Sequence, residues 1–363
     1  MKVMLVIPTL RAGGAESVVV SLANELSKKN NTTLTVVTMF KDVETDYFVS
    51  SLDGTIELIS LDIPLKSKLK VIFKLYRIFA KHKPDIVHTH LTSLFYSSIP
   101  AGLLNISLIH TVHTIPKVEF YGGRFYLVKI IVSLLNPMLI GLTDTMGQSI
   151  VNDISTNCKV IYNGARDIGN VPRGFNRNCV VVSRIDPVKR HDLLIESFLQ
   201  SASSTDFELF IVGVKVPGYE DYYSKIADMV RTSPRMHLLE GLSSSKDLAQ
   251  VFASAQFIIL CSKYEGLPIS LLEGMSTGLI PLATPTPGLI DFFQDNNLSG
   301  LSSGNNLKRF TDLLQDSFDL TQSAVMEREL ISKMIFKSKY SSEKMAINYV
   351  QEYQKIIGNK LNG

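Results

Sequence analysis

The sequence predicts an α/β protein built from two doubly wound parallel sheets. Short apolar runs alternate with amphipathic stretches through both halves of the 363-residue chain. Runs such as KVMLVIP and QFIILC lack the apolar–polar alternation of a half-exposed strand, which is typical of a parallel sheet covered on both faces. Between the halves, residues 164–177 are rich in Gly, Pro and Arg and show no periodicity, which indicates a linker. We therefore expect two Rossmann-like domains that face each other across a cleft.

The predicted strands and helices alternate along the chain. In the first half the predicted strands are KVMLVIP, TLTVVTMF, TIELISL, DIVHTH, SLIHTVH, MLIGLT and CKVIYNG, and GAESVVVSLANELSKK is a helix with apolar residues at helical spacing. In the second half the predicted strands are NCVVVSR, FELFIVG, MHLLE, QFIILC and LIPLAT. We expect one domain over residues 1–165, a second over 166–340, and a C-terminal helix over 341–363 that packs back on the first domain.

Composition narrows the functional classes. A net charge of +3 does not by itself indicate nucleic-acid binding, and the three cysteines have no disulfide or metal-site spacing. The N-terminal apolar run is too short for a signal peptide. The most apolar segment, residues 125–142, is interrupted by Lys129 and Asn136-Pro137, whereas a membrane-spanning helix needs about 20 predominantly apolar residues. We expect a soluble cytoplasmic protein.

Residues 256–293 contain the closest grouping of candidate functional residues in the sequence. Pro268 is predicted to open a helix and Gly278 to end it. Glu265 precedes this helix and Glu273 lies inside it. Both therefore follow the carboxyl end of the strand QFIILC, which is where ligands of α/β sheets bind. Carboxylates accept hydrogen bonds from vicinal hydroxyls, so the pair suits a ribose or a hexose. The alternative is a pair of solvated helix charges.

Two further groups suit a phosphorylated ligand. Gly13-Gly14 joins the first strand to the first helix, where free N–H groups favour an anion, although a tight turn alone explains the two glycines. Arg184 and Lys189 flank the first strand-to-helix turn of the second half and suit a diphosphate, although single Arg and Lys residues are usually solvated.

These motifs together resemble the family-4 glycosyltransferases, which are retaining enzymes of the GT-B fold. EGLPISLLEGMSTGLIPLAT resembles the E-x7-E signature, SRIDPVKRHD the family's Arg/Lys block, GGAE its GG-x-E motif, IHTVHT its strand ending in His113, and VIYNG the end of its first domain. The resemblance implies that the first domain binds the acceptor and the second the nucleotide-sugar donor. It implies a UDP- or GDP-sugar as co-substrate, no metal requirement, and a hexose or N-acetylhexosamine as the transferred group.

The resemblance also assigns roles to residues. Glu265, His113, Arg184 and Lys189 are the expected catalytic residues; Gly13, Gly14, Arg184, Lys189, Glu265, Gly266, Leu267 and Glu273 are the expected donor-binding residues. His88, His90 and His110 stay open between packed histidines and walls of the cleft, and a metal site there lacks a completing ligand. The expected acceptor is a glycan or a polyprenyl-linked oligosaccharide of bacterial surface polysaccharide synthesis. Two alternatives stay open: a nucleotide-sugar 2-epimerase, and a non-catalytic nucleotide-sugar-binding subunit.

Residues 65–83 form a basic amphipathic segment. Leu65, Leu69, Ile72, Tyr76 and Phe79 are predicted to share one face, and the lysines and Arg77 project elsewhere. One reading is an ordinary surface helix whose apolar face enters the core. The other is an electrostatic dock on anionic lipid, worth about 1 kcal/mol per cation, which predicts peripheral association with the cytoplasmic membrane.

Overall fold

A computed structural model of the chain describes residues 1–41, 48–155, 157–201, 207–240 and 245–362. The chain divides into two compact units. The first comprises Met1–Gly164 and Ser342–Gly363, and the second comprises Ala165–Ser341.

The described part of the first unit contains a seven-stranded parallel sheet. Its strands are β1 (Lys2–Ile7), β2 (Thr33–Phe40), β3 (Glu57–Ile63), β4 (Ile86–His90), β5 (Ser107–Thr111), β6 (Met138–Gly141) and β7 (Cys158–Val160), in the spatial order β3-β2-β1-β4-β5-β6-β7. The helices that connect them are α1 (Gly14–Ser27), α2 (Lys68–His82), α3 (Ser93–Leu103), α4 (Pro116–Glu119), α5 (Gly123–Leu135) and α6 (Asp144–Asp153). The strand order reverses between β1 and β4, so the loops after these two strands border a crevice at the carboxyl edge of the sheet.

The second unit has a five-stranded parallel sheet within its described residues. The strands are β8 (Cys179–Val182), β9 (Leu209–Val212), β10 (Met236–Leu239), β11 (Phe257–Leu260) and β12 (Ile280–Ala283), in the order β10-β9-β8-β11-β12. Its helices are α7 (His191–Ser201), α8 (Glu220–Arg231), α9 (Ser245–Ala253), α10 (Ile269–Thr277), α11 (Pro287–Asp295), α12 (Leu307–Phe318) and α13 (Gln322–Ile335), followed by a π-helical turn at Phe336–Tyr340. Here the order reverses between β8 and β11.

Burial explains why the strands lack alternation. Every residue of β1 after Lys2 is buried, and all four residues of β11 are buried, because helices cover both faces of each sheet. The predicted α/β class with two doubly wound parallel sheets is confirmed. The predicted helix stop is also confirmed, since Gly278 ends α10 with φ of +96°, a conformation that favours glycine. The sequence predicted Pro268 as the first residue of this helix, but in the structure Pro268 is the N-cap of α10 and the helix begins at Ile269.

The last helix, α14 (Ser342–Asn362), packs against α1 in the first unit. Two of its tyrosines reach the sheet. The Tyr353 hydroxyl lies 2.7 Å from His88 Nδ1, and the Tyr349 hydroxyl lies 2.8 Å from Thr111 Oγ1. Both tyrosines are fully buried, so α14 contributes to the core of the first unit.

The predicted linker is anchored within the second unit. The Ile168 N–H donates to Ser276 Oγ of α10 at 3.1 Å, and the Arg173 guanidinium donates to the carbonyl of Thr277 at the end of the same helix. Arg173 Nε also lies 2.9 Å from Glu329 Oε1 of α13. This segment therefore covers α10 although it contains neither helix nor strand.

The prediction of which side of the basic segment packs into the core is wrong. The helix begins at Lys68, and the residues that enter the core are Val71, Leu75 and Phe79. The side chains expected beside Phe79 are exposed instead: 66% for Leu65, 81% for Leu69 and 39% for Tyr76. The helix carries two apolar stripes, and the sheet buries the one that contains Leu75. No helix among the described residues combines the length and apolar character needed to cross a membrane.

Candidate functional site

Two loops of the second unit meet where its strand order reverses. Lys189, at the end of the loop after β8, places its Nζ 2.6 Å from Oε1 of Glu265 in the loop after β11. The two side chains are only 18% and 10% exposed. The crevice at the carboxyl ends of β8 and β11 is therefore lined by a largely desolvated ion pair, in which the attraction between the two charges is stronger than it would be in bulk water.

Glu265 is held from a second side by Ser262. The Ser262 hydroxyl donates to the same Oε1 atom at 2.5 Å, and its residue is almost fully buried. Sequence reasoning missed this contact. The available signal was a polar side chain directly after a buried strand and three residues before the acid.

The loop after β8 is shaped by Asp186. This buried carboxylate accepts from the Val188 N–H at 2.9 Å, which is an Asx turn, and the Lys189 N–H donates to the Asp186 carbonyl. Arg184 Nη2 lies 3.4 Å from Asp186 Oδ2, and the Arg184 side chain is 45% exposed. The turn thus orients both predicted cations and leaves the guanidinium accessible to an anion. Asp186 was another residue that sequence reasoning missed.

Gly266 and Leu267 follow Glu265 in the same loop. The loop is packed closely against the start of α11, because a Cβ added at Gly288 would lie 1.9 Å from the Gly266 carbonyl oxygen. Leu267 is only 3% exposed, so its side chain belongs to the interior.

Glu273, the second acid of the predicted pair, lies inside α10 and is buried. Arg166 Nε donates to Glu273 Oε1 at 2.7 Å. Burial raises the pKa of Glu273, and the Arg166 charge and hydrogen bond oppose that shift. Glu273 is thus a paired carboxylate. Arg166 was not among the predicted site residues, although it follows the Asn163-Gly164 turn by two residues.

Arg190 joins the carboxyl ends of two neighbouring strands. Its Nε donates to the Cys261 carbonyl at 2.6 Å and its Nη2 to Thr284 Oγ1 at 3.1 Å. Its backbone has φ of +49°, which is uncommon for a residue with a side chain. Burial lowers the pKa of Arg190, and Cys261, Asp192 and Tyr222 oppose the shift. This residue secures the loop after β11.

In the first unit, the predicted anion-binding turn lies at the start of α1. Gly13 is the N-cap with extended backbone, and α1 begins at Gly14. A Cβ added at Gly14 would meet no described heavy atom within 4 Å. A Cβ added at Gly13, by contrast, would lie 2.2 Å from Oε2 of Glu16, so the open space at the start of α1 is beside Gly14 only. Anion binding at this turn stays a prediction.

His113 follows β5 and is held on two sides. Its backbone N–H donates to Glu119 Oε2 at 2.5 Å, and the Thr114 N–H donates to the same oxygen at 3.0 Å. Its Nε2 lies 3.1 Å from His90 Nδ1. Burial lowers the pKa of His113 to about 4, the Glu119 charge opposes that shift, and His110 adds to it. The imidazole is therefore neutral at neutral pH and suited to a neutral hydrogen bond with a hydroxyl.

The other three histidines of the strands belong to a buried hydrogen-bond network. His88 uses both ring nitrogens, with Nδ1 bonded to Tyr353 and Nε2 lying 2.8 Å from Thr111 Oγ1. His110 Nδ1 lies 3.0 Å from Thr89 Oγ1. Burial lowers the pKa values of His88 and His90 well below the usual range, and the neighbouring histidines add to the shift. Within the described ranges, no three His, Cys, Asp or Glu side chains are grouped to hold a metal ion.

The predicted site residues thus fall into two sets. Arg184, Lys189, Glu265, Gly266, Leu267 and Glu273 lie in the second unit, on the two loops at the strand reversal and on α10. Gly13, Gly14 and His113 lie in the first unit, at the carboxyl edge of its sheet. Their roles in binding and catalysis stay predictions.

Known protein families match each half of the chain separately. The family described as Glycosyltransferase Family 4 matches residues 12–166, and the family described as Glycosyl transferases group 1 matches residues 175–323. A GDP-mannose:cellobiosyl-diphosphopolyprenol alpha-mannosyltransferase of Xanthomonas campestris is 22% identical, with 95% of this chain and 94% of that enzyme aligned. Glycogen synthase 1 of Synechocystis is 26% identical over 51% of this chain and 40% of that enzyme.

The fold is also found in a solved structure. Anabaena HepE in complex with UDP and glucose superposes with a TM-score of 0.79 at 15% sequence identity, covering 98% of this chain and 100% of that one. The two family matches together span most of the chain, one on each parallel sheet. The chain therefore belongs to the family-4 glycosyltransferases of the GT-B fold and is a glycosyltransferase.

Proposed function

We propose that this glycosyltransferase is a retaining enzyme that moves a hexose or N-acetylhexosamine from a UDP- or GDP-sugar to a hydroxyl of a glycan or a polyprenyl-linked oligosaccharide. The observation that carries the proposal is the Lys189–Glu265 ion pair at the reversal of the second sheet. This pair supports the proposal because a cation suits a diphosphate and a neighbouring carboxylate suits a sugar hydroxyl. Bacterial surface polysaccharide synthesis is the proposed setting, and a polyprenyl-linked acceptor is supported by the printed name of the Xanthomonas relative, a cellobiosyl-diphosphopolyprenol mannosyltransferase.

In the proposed reaction the donor lies at the carboxyl edge of β8 and β11. Lys189 and the half-exposed Arg184 stabilise the negative charge that develops on the departing diphosphate. Glu265 accepts from the sugar, and Glu273, oriented by Arg166, accepts from the ribose.

Retention follows if the acceptor attacks from the face of the leaving group. The bond between the anomeric carbon and the diphosphate oxygen breaks, and the acceptor oxygen forms the new bond on the same face. The acceptor proton passes to the diphosphate oxygen that leaves. The phosphate thus serves as the base, and no covalent sugar–enzyme intermediate is formed.

A binding screen followed by a transfer assay tests the proposal. We expect UDP, GDP or ADP to bind in calorimetry, and the best of them to identify the donor. In Glu265→Gln, Arg184→Ala and Lys189→Ala we expect transfer to fall by a factor of about 100 or more while the fold is retained. The two cation changes remove charge stabilisation of the departing diphosphate, and the Glu265 change weakens the contact with the sugar. Lys225→Ala is the matched control, since Lys225 also forms a carboxylate ion pair, with Asp192, but lies on α8.

Two outcomes would contradict the proposal. Full transfer activity in any of the three variants would remove that residue from the site. Turnover of donor alone into an epimeric sugar nucleotide, without acceptor, would favour the epimerase alternative. Product analysis by NMR distinguishes retention from inversion at the anomeric carbon.

A further inference from the structure

Three neighbouring helices of the first unit expose large apolar side chains. On and just before α2 these are Leu65, Leu69, Phe73 and Tyr76; on α3 they are Ile99 and Leu103; on α5 they are Tyr126, Leu127, Ile130 and Leu134. Leu69, Leu103 and Leu134 are 81%, 72% and 76% exposed. Single exposed apolar residues are ordinary, but ten on adjacent helices are unusual for a surface that faces only water.

The three helices present these side chains on one side of the sheet. The inner sides of α2, α3 and α5 belong to a single core cluster, represented by Leu75, Leu94 and Val128. In addition, α3 packs against both α2 and α5. The outer sides of the three helices consequently face the same region of solvent, and we call this surface the α2–α3–α5 face.

The charges of the α2–α3–α5 face have one sign. None of the three helices contains an Asp or Glu. They carry seven cations: Lys68, Lys70, Lys74, Arg77, Lys81, Arg124 and Lys129. Arg77 lies over the Phe73 ring at 5.9 Å and Lys129 over the Phe125 ring at 4.8 Å, so cationic and aromatic groups are interleaved.

We propose that the α2–α3–α5 face docks on a lipid bilayer that contains anionic lipids. The cations bind the headgroups, and the exposed Leu, Ile, Phe and Tyr side chains enter the boundary between headgroups and acyl chains. Apolar residues beside clustered Lys and Arg, without acids, are the composition that binds such an interface. A second copy of this chain fits poorly, because two such faces would bring seven cations against seven.

The docking face is separate from the donor site and does not depend on which sugar is transferred. It enlarges the predicted dock on residues 65–83 in two ways. The side of α2 that was expected to pack inward contributes apolar groups to the lipid, and α3 and α5 contribute six of the ten exposed apolar side chains.

Vesicle sedimentation with the full chain tests the proposal. We expect binding to vesicles of phosphatidylcholine mixed with phosphatidylglycerol and weak binding to phosphatidylcholine alone. Lys70→Glu/Arg77→Glu/Lys129→Glu should weaken binding by about a hundredfold or more, since each cation contributes separately. Leu69→Ser/Phe73→Ser/Leu134→Ser should weaken it by at least about tenfold while the fold is kept, because all three side chains are exposed.

The chain offers a matched control on α13. Met326, Leu330 and Met334 are 61%, 60% and 61% exposed, but that helix carries both acids and bases. Changing these three residues to Ser should leave vesicle binding unchanged. Nucleoside diphosphate affinity, measured by calorimetry, should be the same in all the variants, which separates a failure here from a failure of the donor site.

Three results would overturn the proposal. The first is no sedimentation of the unmodified chain with anionic vesicles. The second is an equal loss of binding in the α13 control. The third is a concentration-dependent dimer in ultracentrifugation that the Leu69, Phe73 and Leu134 changes abolish, which would assign the face to a second copy.

Discussion

At the scale of single residues, the site depends on acids whose charge is supported by a partner. Glu265 has Lys189 and Ser262, and Glu273 has Arg166. A buried carboxylate without a cation favours its protonated form, and leaving one charge of a buried pair alone is costly. The partners therefore orient each acid and offset the cost of burying its charge, as the proposed role in donor binding requires.

Arg166 and Glu273 are predicted to act as a unit in donor binding. Arg166→Ala should weaken the binding of the preferred nucleoside diphosphate by about tenfold, because Glu273 loses the contact that orients it and keeps it ionised. Glu273→Ala should weaken binding at least as much, and the double variant should be no weaker than Glu273→Ala. Calorimetry with UDP, GDP and ADP measures all three.

Arg166→Lys and Arg173→Ala are the controls for this pair. Arg166→Lys should restore part of the affinity. Arg173 lies in the same segment as Arg166, but it binds backbone carbonyls and Glu329 of α13. Arg173→Ala should therefore lower the melting temperature without changing the affinity for the nucleoside diphosphate. If Arg166→Ala weakened binding equally with and without Glu273, Arg166 would instead contact the ligand by itself.

Glu119 is predicted to hold the backbone around His113. Glu119→Ala leaves the N–H groups of His113 and Thr114 without their acceptor, so the free energy of unfolding should fall by about 1–3 kcal/mol. Glu119→Gln keeps an acceptor oxygen and should lose less. Urea unfolding of both variants makes the comparison, and equal losses would show that the negative charge matters more than the acceptor.

At the scale of elements, helix starts and loop glycines define the shape of the site. The close approach of α11 to the loop after β11 needs a residue without a side chain at Gly288. At the start of α1, the space beside Gly14 is open. Two glycines that look alike in the sequence thus differ in the structure: Gly288 is needed for close packing, and Gly14 has open space beside it.

Gly288→Ala and Gly14→Ala should have opposite signatures. The new methyl group at 288 overlaps the Gly266 carbonyl, so we expect a loss of about 1–3 kcal/mol in unfolding free energy and weaker donor binding. At Gly14 we expect stability to be unchanged or to rise by up to about 1 kcal/mol, since Ala favours a helix over Gly. Loss of transfer in Gly14→Ala without loss of stability would support ligand contact there, and a stable, fully active Gly288→Ala would contradict the packing argument.

At the scale of the whole molecule, both units contain buried histidines that folding keeps neutral. Burial lowers the pKa of His113 and of His191 to about 4, and it lowers those of His88 and His90 well below the ordinary value of 6.5. These groups lie in both units, in the network beneath α14 and in the turn between Ser183 and α7. Protonation of these imidazoles at acid pH is therefore expected to destabilise both units.

Stability is predicted to fall as the pH is lowered from about 6.5 towards 4. The unfolded chain binds protons at these imidazoles in this range while the folded chain does not, so protonation favours unfolding. Thermal melts across the range measure the effect, and His88→Gln should reduce the slope by removing one such group. A melting temperature that stayed constant over this range would show that the four imidazoles titrate alike in both states.

Sequence patterns alone determined the class of the fold and most of the candidate site. Continuous apolar runs indicated covered parallel strands, and the motifs around Arg184, Lys189 and Glu265 indicated a sugar-nucleotide site, because burial periodicity and motif spacing are local properties of the chain. The tertiary structure decided which apolar stripe of α2 enters the core and that the other, with Leu69, is exposed. It also decided the pairs Arg166–Glu273 and His88–Tyr353, which are 107 and 265 residues apart in sequence. Such choices depend on how distant segments share one interior, and no local pattern contains that information.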